Sequence, residues 1–529
     1  MALSAKAVGL KMMTPDFRSL PMLRNLRITR LVLGLTLSAL ATFVWVRADM
    51  PHFWPKLLDA VTHEPHPIID HFPAFTPNVG CLSRSQQYKY RKQKNHFPIS
   101  EPLTRALVKY TRMHSHCQLT KVGDVDSMQA ACQYVVYYEG YEGLGNRLLS
   151  LVTAFSYALI TNRALVIDER RGHLAQLLCQ PFHNTSWLLP SHLALAVQKR
   201  AVKLQDMINN EVQNVTSVHV NLRHEQTLGD RTFFCSESQE LLRKVTWVIW
   251  ESNQYYVPRL FMIREFWPTL RLWFPNVSLV FTQLGRILSV PRNGVWETIE
   301  RIQQAEMAWA RVQVGIQVRR HGVSDNANFS ETVYQRILKC VGEHAVLPNR
   351  TTAAVLVTSL RSVYWEKMRE RWHGRDDEEG EVKFVMVSEE KEERYSYDQA
   401  CKAMVEIWLL SFCDRLATSS WSTFGYVAQA LAGIQPVIMN IRGEHPELDE
   451  QAQCWRGQSV EPCLHYPFIF RDDDSGTAYC ISQAKPNLLP KRPQKEEEVE
   501  TKQQEEHSAW IARHLVVCQD ETRGLQLVS

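Results

Sequence analysis

Hydrophobic residues in this chain fall into two kinds of run that alternate along its length. Short runs rich in β-branched and aromatic residues, at 133–138, 164–167 and 245–250, predict strands. Their near-continuous apolar character fits strands buried on both faces of a parallel sheet. Between the first two, Leu148, Leu149, Val152, Phe155 and Leu159 recur at helical spacing over 146–161, behind a loop broken by Gly140, Gly143 and Gly145. Strand, glycine loop, helix and strand make a βαβ unit. The alternation resumes with strands at 314–318, 353–359, 383–387 and 436–439 and helices at 404–412 and 426–431, which predicts a second doubly wound parallel sheet beginning near Val312.

The N-terminal part breaks that rhythm. Leu31 to Val46 is uncharged and largely apolar, and as a helix at ~1.5 Å per residue it would span roughly 24 Å, short even for a thin bilayer. Lys6, Lys11, Arg18, Arg24, Arg27 and Arg30 precede it against Asp16 alone, which places the N-terminus in the cytosol and the rest across the membrane. A cleaved signal peptide is the alternative; its basic region would be unusually long, and no strong small-residue cleavage site follows Val46. A short single anchor fits an early secretory membrane, with a Golgi lumenal domain as the expected arrangement. Residues 47–102, rich in Pro, His and basic side chains, predict a stem, with packed structure starting near Cys81. The expected organisation is therefore a cytosolic tail (1–30), an anchor (31–46), a stem (47–102) and two α/β domains (103–305 and 306–529).

Composition narrows the class. The net charge of +4 is spread over both halves with no basic stripe interleaved with aromatics, which argues against nucleic acid as a partner. All 12 cysteines lie beyond the apolar run, as an oxidising compartment allows, and with no CxxC pair they predict disulfides rather than a zinc site. Asn184, Asn214, Asn276, Asn328 and Asn349 are glycosylation acceptors by motif. The acidic runs at 376–379, 389–390, 472–474 and 496–498 could hold a divalent cation in principle, but they sit in polar stretches and read as solvated faces, so no metal site is expected.

The candidate chemistry gathers where predicted strands end. The glycine loop presents N–H groups at a helix N-terminus, with Asn146 and Arg147 as side-chain donors beside Gly143 and Gly145, a geometry suited to a phosphate or sugar hydroxyl. Arg319 and Arg320 leave the end of the strand at 314–318. Ser419-Ser420-Trp421-Ser422-Thr423-Phe424-Gly425 precedes a helix, so its hydroxyls and N–H groups can meet an anion there; a plain N-cap with a packed Trp and Phe is the competing reading. Asp414 and Arg415 just before it read as an ion pair.

These blocks resemble the plant xyloglucan (galactoside) fucosyltransferases. The likeness runs from Gly143-Leu-Gly-Asn-Arg147, Leu149-Ser-Leu and Tyr157-Ala-Leu through Cys179-Gln-Pro-Phe182 and Thr185-Ser-Trp-Leu-Leu-Pro190. It continues in Tyr255-Tyr-Val-Pro258, Phe274-Pro275, Leu284-Gly-Arg286 and the Ser-x-Trp-Ser-Thr-Phe-Gly-Tyr-Val-Ala-Gln block ending at Gln429. The resemblance implies a GT-B fold, with two Rossmann-like sheets facing a central cleft, and an inverting, metal-independent transfer of L-fucose from GDP-fucose to the 2-hydroxyl of a galactose. The acceptor would be a galactosylated polysaccharide such as xyloglucan, or arabinogalactan, and the enzyme could pair as a homodimer. It implies Arg319 as the contact to the β-phosphate and Ser420, Trp421, Ser422, Thr423 and Phe424 as donor-binding. Arg320 departs from the plant pattern and is similar to the double arginine of more distant relatives.

The base departs as well. Where the family carries an aspartate before the Tyr-Val-Pro block, this chain has Asn253, and an amide cannot take a full proton. Glu251, expected on the opposite face of the strand, and Asp230 are the nearby carboxylates. The reading favoured here needs neither: a loose, oxocarbenium-like transition state from which the hydroxyl proton leaves late. The rival readings are a fucosyltransferase for another acceptor and a membrane-tethered glycan-binding protein on a decayed transferase scaffold.

Overall fold

The computed structural model describes residues 80–529 apart from 93–96, 120–131, 169, 171, 183–184, 210–211, 213, 224–226, 320–328, 345–350, 373–379, 388–395, 442–453 and 467–496. All of these residues belong to one unit, Ile69–Ser529. The predicted anchor at 31–46, Arg320, and Asn184, Asn328 and Asn349 lie outside the described residues, as do the acidic runs apart from the backbone of 497–498. Asn214 and Asn276 are described, and both are exposed. Among the described residues no helix is long and apolar enough to cross a membrane.

Two six-stranded sheets carry the fold. The first has the order β3-β2-β1-β6-β5-β4, with β1 at Tyr134–Tyr138, β2 at Ala164–Asp168, β3 at Leu188–Leu189, β4 at Val202–Lys203, β5 at Ser217–Leu222 and β6 at Trp247–Ser252. Every pairing in it is parallel. The apolar run read at 245–250 is displaced two residues along the chain, because Val245 is a turn residue whose carbonyl accepts from Arg163 Nη1 at 2.8 Å. Strands β3, β4 and β5 carried no clear signal: β3 and β4 are two residues long, and β5 (Ser-Val-His-Val-Asn-Leu) alternates polar and apolar residues.

The second sheet has the order β12-β11-β10-β7-β8-β9, built from β7 (Val312–Val318), β8 (Ala353–Ser359), β9 (Val382–Val385), β10 (Arg415–Ser419), β11 (Val437–Met439) and β12 (Cys454–Arg456). Only β12 runs antiparallel, pairing with β11 at one edge. Strand β10 was read as the approach to a loop, yet it pairs with both β7 and β11 at the centre of the sheet. Its neighbour Asp414 does not pair with Arg415: its carboxylate accepts from Gln313 N and meets Lys92 Nζ at 2.6 Å.

Helices pack on and between the sheets. The main ones are α1 (Glu101–His116), α2 (Leu144–Ile160), α3 (Val280–Leu288), α4 (Tyr397–Leu410), α5 (Thr423–Ala432) and α6 (Glu497–His514). The helix read at 146–161 starts two residues earlier, at Leu144, and the one read at 426–431 starts at Thr423 because Ser422 is its N-cap, accepting from Gly425 N. Helices α2, α3 and α5 pack directly on one another, so Leu148, Val152, Phe281, Leu284, Val427 and Leu431 share one apolar core spanning both sheets. Burying each such side chain contributes ~1.5–3 kcal/mol.

The carbonyl end of α5 is closed by two buried arginines. Leu431 O accepts from Arg91 Nη1 and Arg286 Nε, both at 2.9 Å, and Ala432 O accepts from Arg286 Nη2. Cations belong at that negative end of a helix. The Leu284-Gly-Arg286 motif therefore fixes α5, whose opposite, positive end faces the site described below.

The expected segmentation is corrected at both ends. Packed structure begins by Gly80: Cys81 is bonded to Cys179, and Arg91 is buried against Ser411 and Leu431. Packing thus starts near Cys81, as expected, and the stem stops short of residue 102. At the other end the chain returns to the first sheet's side, where Trp510 of α6 stacks on Phe261 at 5.2 Å and His507 bonds Phe261 O. A hairpin of β13 (Leu515–Val517) and β14 (Leu525–Leu527) then closes the chain. The expected disulfides are present as Cys81–Cys179, Cys117–Cys132, Cys340–Cys454 and Cys463–Cys518, and Cys235 is disulfide-bonded as well. Cys401 and Cys413 are free thiols.

Candidate active site

In the second sheet the connections that leave β7 and β10 turn to opposite sides, β7 toward β8 and β10 toward β11. In open parallel sheets the crevice beyond the carboxyl ends of two such strands is where ligands bind. Arg319 follows β7 and Ser420 to Ser422 follow β10, so both lie at this switch point. They are tied together: Arg319 N donates to Ser419 Oγ at 2.7 Å, and Ser419 Oγ donates to Gln317 O.

The connection from β10 to α5 is only Ser420, Trp421 and Ser422. Trp421 has φ +61°, a left-handed conformation that costs of order 1–3 kcal/mol for a residue other than glycine. Ser420 Oγ is buried and accepts or donates no hydrogen bond among the described residues. A buried hydroxyl without a partner beside a helix N-terminus is the configuration expected of a site that completes itself on an anion.

The glycine loop needs correction. A Cβ on Gly145 would stand 2.7 Å from both Thr423 C and Phe424 N, so the close approach that requires glycine is to the start of α5. Asn146 Nδ2 donates to Asn253 O at 3.0 Å, and its Oδ1 accepts from Thr423 Oγ1 at 2.6 Å. Arg147 forms a mostly buried ion pair with Glu139, whose carboxylate also accepts from His173 N and Leu174 N. Gly145, Asn146 and Arg147 therefore work as a joint within the protein rather than as a ready cradle for phosphate; Gly143 alone has open space around it. A continuous path follows from these bonds: Asn253 to Asn146 to Thr423 at one end of the Ser420–Ser422 connection, and Ser419 to Arg319 at the other.

Asn253 lies just past the carboxyl end of β6, which pairs with β1 at the centre of the first sheet. It is buried, and its Oδ1 has no hydrogen-bond donor among the described residues. Glu251 sits inside β6, two residues earlier; a strand persisting to Asn253 would set residues i and i+2 on one side rather than on opposite faces, and β6 ends at Ser252. Its carboxylate accepts from His219 Nε2 at 2.9 Å and Arg223 Nη1 at 3.1 Å. Burial pushes Glu251 up, but those hydrogen bonds and charges more than offset it and hold the group below its ordinary value. Arg223 also bridges to Glu142 in the glycine loop. Asp230 is engaged otherwise, with Asn221 N, Thr227 N and Thr227 Oγ1 all donating to it. A buried carboxylate with three donors closes a turn; the structure does not support it as a base.

Among the described residues no group of three or more His, Cys, Asp and Glu side chains is placed to hold a metal ion. Positive charge at the switch point between β7 and β10 comes from Arg319 and the start of α5.

The sequence profile of the family described as xyloglucan fucosyltransferase matches residues 73–472. The chain belongs to that family. It is 34% identical over 424 residues to a galactoside 2-alpha-L-fucosyltransferase of Arabidopsis thaliana, covering 73% of this chain and 74% of the relative. The galactoside 2-alpha-L-fucosyltransferase of Pisum sativum is 35% identical over 430 residues, with 73% and 74% covered. Among solved structures, a mutant of Arabidopsis thaliana FUT1 in complex with GDP superposes with a TM-score of 0.69 at 30% identity, covering 86% of this chain and 99% of that one. The family match ends at residue 472, so it leaves out α6 and the β13–β14 hairpin.

That hairpin supplies residues sequence reasoning missed. Asp520 Oδ2 accepts from Trp421 N at 2.8 Å and from Tyr426 OH at 2.5 Å, and His465 Nε2 lies 3.0 Å from the same hydroxyl. The signal available beforehand was the pair Cys463 and Cys518, each two residues ahead of one of these side chains, but pairing among 12 cysteines is not legible from spacing.

Proposed function

We propose that this chain is an inverting GT-B fucosyltransferase that moves L-fucose from GDP-fucose to the 2-hydroxyl of a galactose on a cell-wall galactoside, xyloglucan first among them. The observation that carries the reading is the union of Arg319 with the Ser420–Ser422 connection at the switch point between β7 and β10, in a chain of this family.

Transfer requires that the departing diphosphate be stabilised as its charge grows. Arg319 supplies a guanidinium that stays charged, and α5 supplies N–H groups at its positive end. Ser420 Oγ is a further donor without a competing protein acceptor among the described residues. Such preorganised donors act where charge develops, and no step calls for a cation. The acceptor lies at the carboxyl end of the first sheet. There Asn253 Oδ1 accepts the hydrogen bond of the attacking hydroxyl, while the Glu251, His219 and Arg223 cluster offers polar partners for sugar hydroxyls. An amide orients that hydroxyl without taking its proton, so the C–O bond to the diphosphate breaks well ahead of attack and the proton leaves late, to water or to the departing diphosphate.

The basic tail and apolar run at 1–46 support a single-pass anchor in the Golgi, with the described residues in the lumen. Incubating the chain with GDP-fucose and a panel of galactosides, read by mass spectrometry, tests the reading. Fucosylated galactoside and released GDP are expected. Glycan binding with neither fucosyl transfer nor GDP release would make it a glycan-binding protein instead.

A further inference from the structure

Trp421 is the strained residue of the loop assigned to the diphosphate, and what holds it there comes from outside the family's matched segment. Its N–H, turned by the positive φ, points to Asp520 Oδ2, and the same oxygen accepts a hydrogen bond from Tyr426 OH in the first turns of α5. One carboxylate oxygen therefore ties the loop before α5 to the helix itself. Proton accounting fixes the third member. The carboxylate only accepts and Tyr426 has one proton, which goes to Asp520, so His465 Nε2 must carry the hydrogen that it shares with the Tyr426 oxygen. The His465 ring also lies against the Trp421 indole, with centroids 5.4 Å apart.

Two strands of chain deliver these groups. Asp520 stands in the turn between β13 and β14, and His465 follows Leu464, which pairs with Leu525 of β14. The Cys463–Cys518 disulfide joins them two residues upstream of each and packs on Tyr426. Gly524 fits the disulfide closely: a Cβ there would lie 2.6 Å from Cys463 Sγ.

We propose that the C-terminal hairpin is a part of the donor site, with Asp520 as the positioning residue that holds Trp421 in its left-handed turn and so presets Ser420 and the N–H groups of Ser422 and Thr423 for a nucleoside diphosphate. Asp520 touches no reacting atom. It acts through the loop, and the inference rests on the reading of that loop as the diphosphate site. Both donors converge on one oxygen, so an asparagine amide oxygen can replace it, whereas alanine cannot.

Calorimetry with GDP on the full chain, paired with donor kinetics, tests this. Asp520→Ala is expected to weaken GDP binding about tenfold and to raise the GDP-fucose KM by a similar factor, with a smaller change in kcat. Asp520→Asn should return both to within about threefold of the parent. Tyr426→Phe, which removes one of the two donors and leaves the buried ring, should fall between them even if the alanine variant folds poorly. A fully structural role would lower the melting temperature of Asp520→Ala while leaving GDP affinity within about twofold, and that result overturns the inference while leaving the donor reading intact. A parent chain that does not bind GDP overturns both.

Discussion

Arg319 and Asn253 carry the account at the scale of single residues. Arg319→Ala should lower turnover at least ~100-fold, the loss typical of one preorganised charge-assisted donor, and GDP affinity should fall with it. Calorimetric GDP binding equal to the parent's, with activity within a few-fold, would remove Arg319 from the site. Asn253→Ala gives up one neutral hydrogen bond, ~0.5–1.5 kcal/mol, and should slow transfer roughly threefold to tenfold. Asn253→Asp should remain active. A gain of about 100-fold or more in that variant, with a new acidic limb in the pH–rate profile, would mean that a general base belongs there. Residue types were legible in the sequence, but their engagement was not. Asp230 and Arg147 look available as a carboxylate and a cation, and only the fold shows the three donors closing on the first and the buried Glu139 facing the second.

At the scale of elements, the long apolar runs were readable because burial on both faces leaves no polar residue to blur them. Strands β1, β6, β7 and β8 follow that rule and sit where the pattern predicts, within two residues. Strand β10 escaped because Arg-Leu-Ala-Thr-Ser spends its polar groups on neighbours, Ser419 N on Gln317 Oε1 and Ser419 Oγ on Gln317 O. One joint between elements makes a prediction about pH. Glu461 is fully buried, with its carboxyl bonded to Tyr255 OH and Phe281 N. Burial pushes it up to about 8 from an ordinary 4.5. Between those values the folded chain keeps a proton that the unfolded chain has lost, so this group's contribution is fully present below the lower value and is lost as pH rises through the upper one. Glu461→Gln keeps the shape and hydrogen bonds of the protonated acid. Its melting temperature relative to the parent should therefore rise between about pH 5.5 and about pH 8. Parallel melting curves across that range would show that Glu461 is ionised throughout.

The molecule as a whole reads as two parallel sheets locked through α2, α3 and α5, with the chain's last segment folded back over both the first sheet's side and the donor loop. Sequence reasoning located the carboxyl ends of β1 and β7 because glycine and arginine break the apolar runs there. It could not see that the glycine loop reaches across to α5, since a glycine needed for protein contact and one needed for phosphate contact look alike in sequence. It placed the start of packing near Cys81, but it could not see the C-terminal hairpin as part of the packed body, because disulfide pairing is a tertiary fact. The central claim is that Arg319 and the start of α5 support metal-independent fucosyl transfer to galactose O2. The most direct measurement is the NMR spectrum of product made from GDP-fucose and a galactosylated xyloglucan fragment in excess EDTA. The account predicts an α-linked fucose on the galactose 2-position, formed at the rate seen without chelator; a different linkage or anomer, or turnover lost in EDTA and restored by manganese, would contradict it.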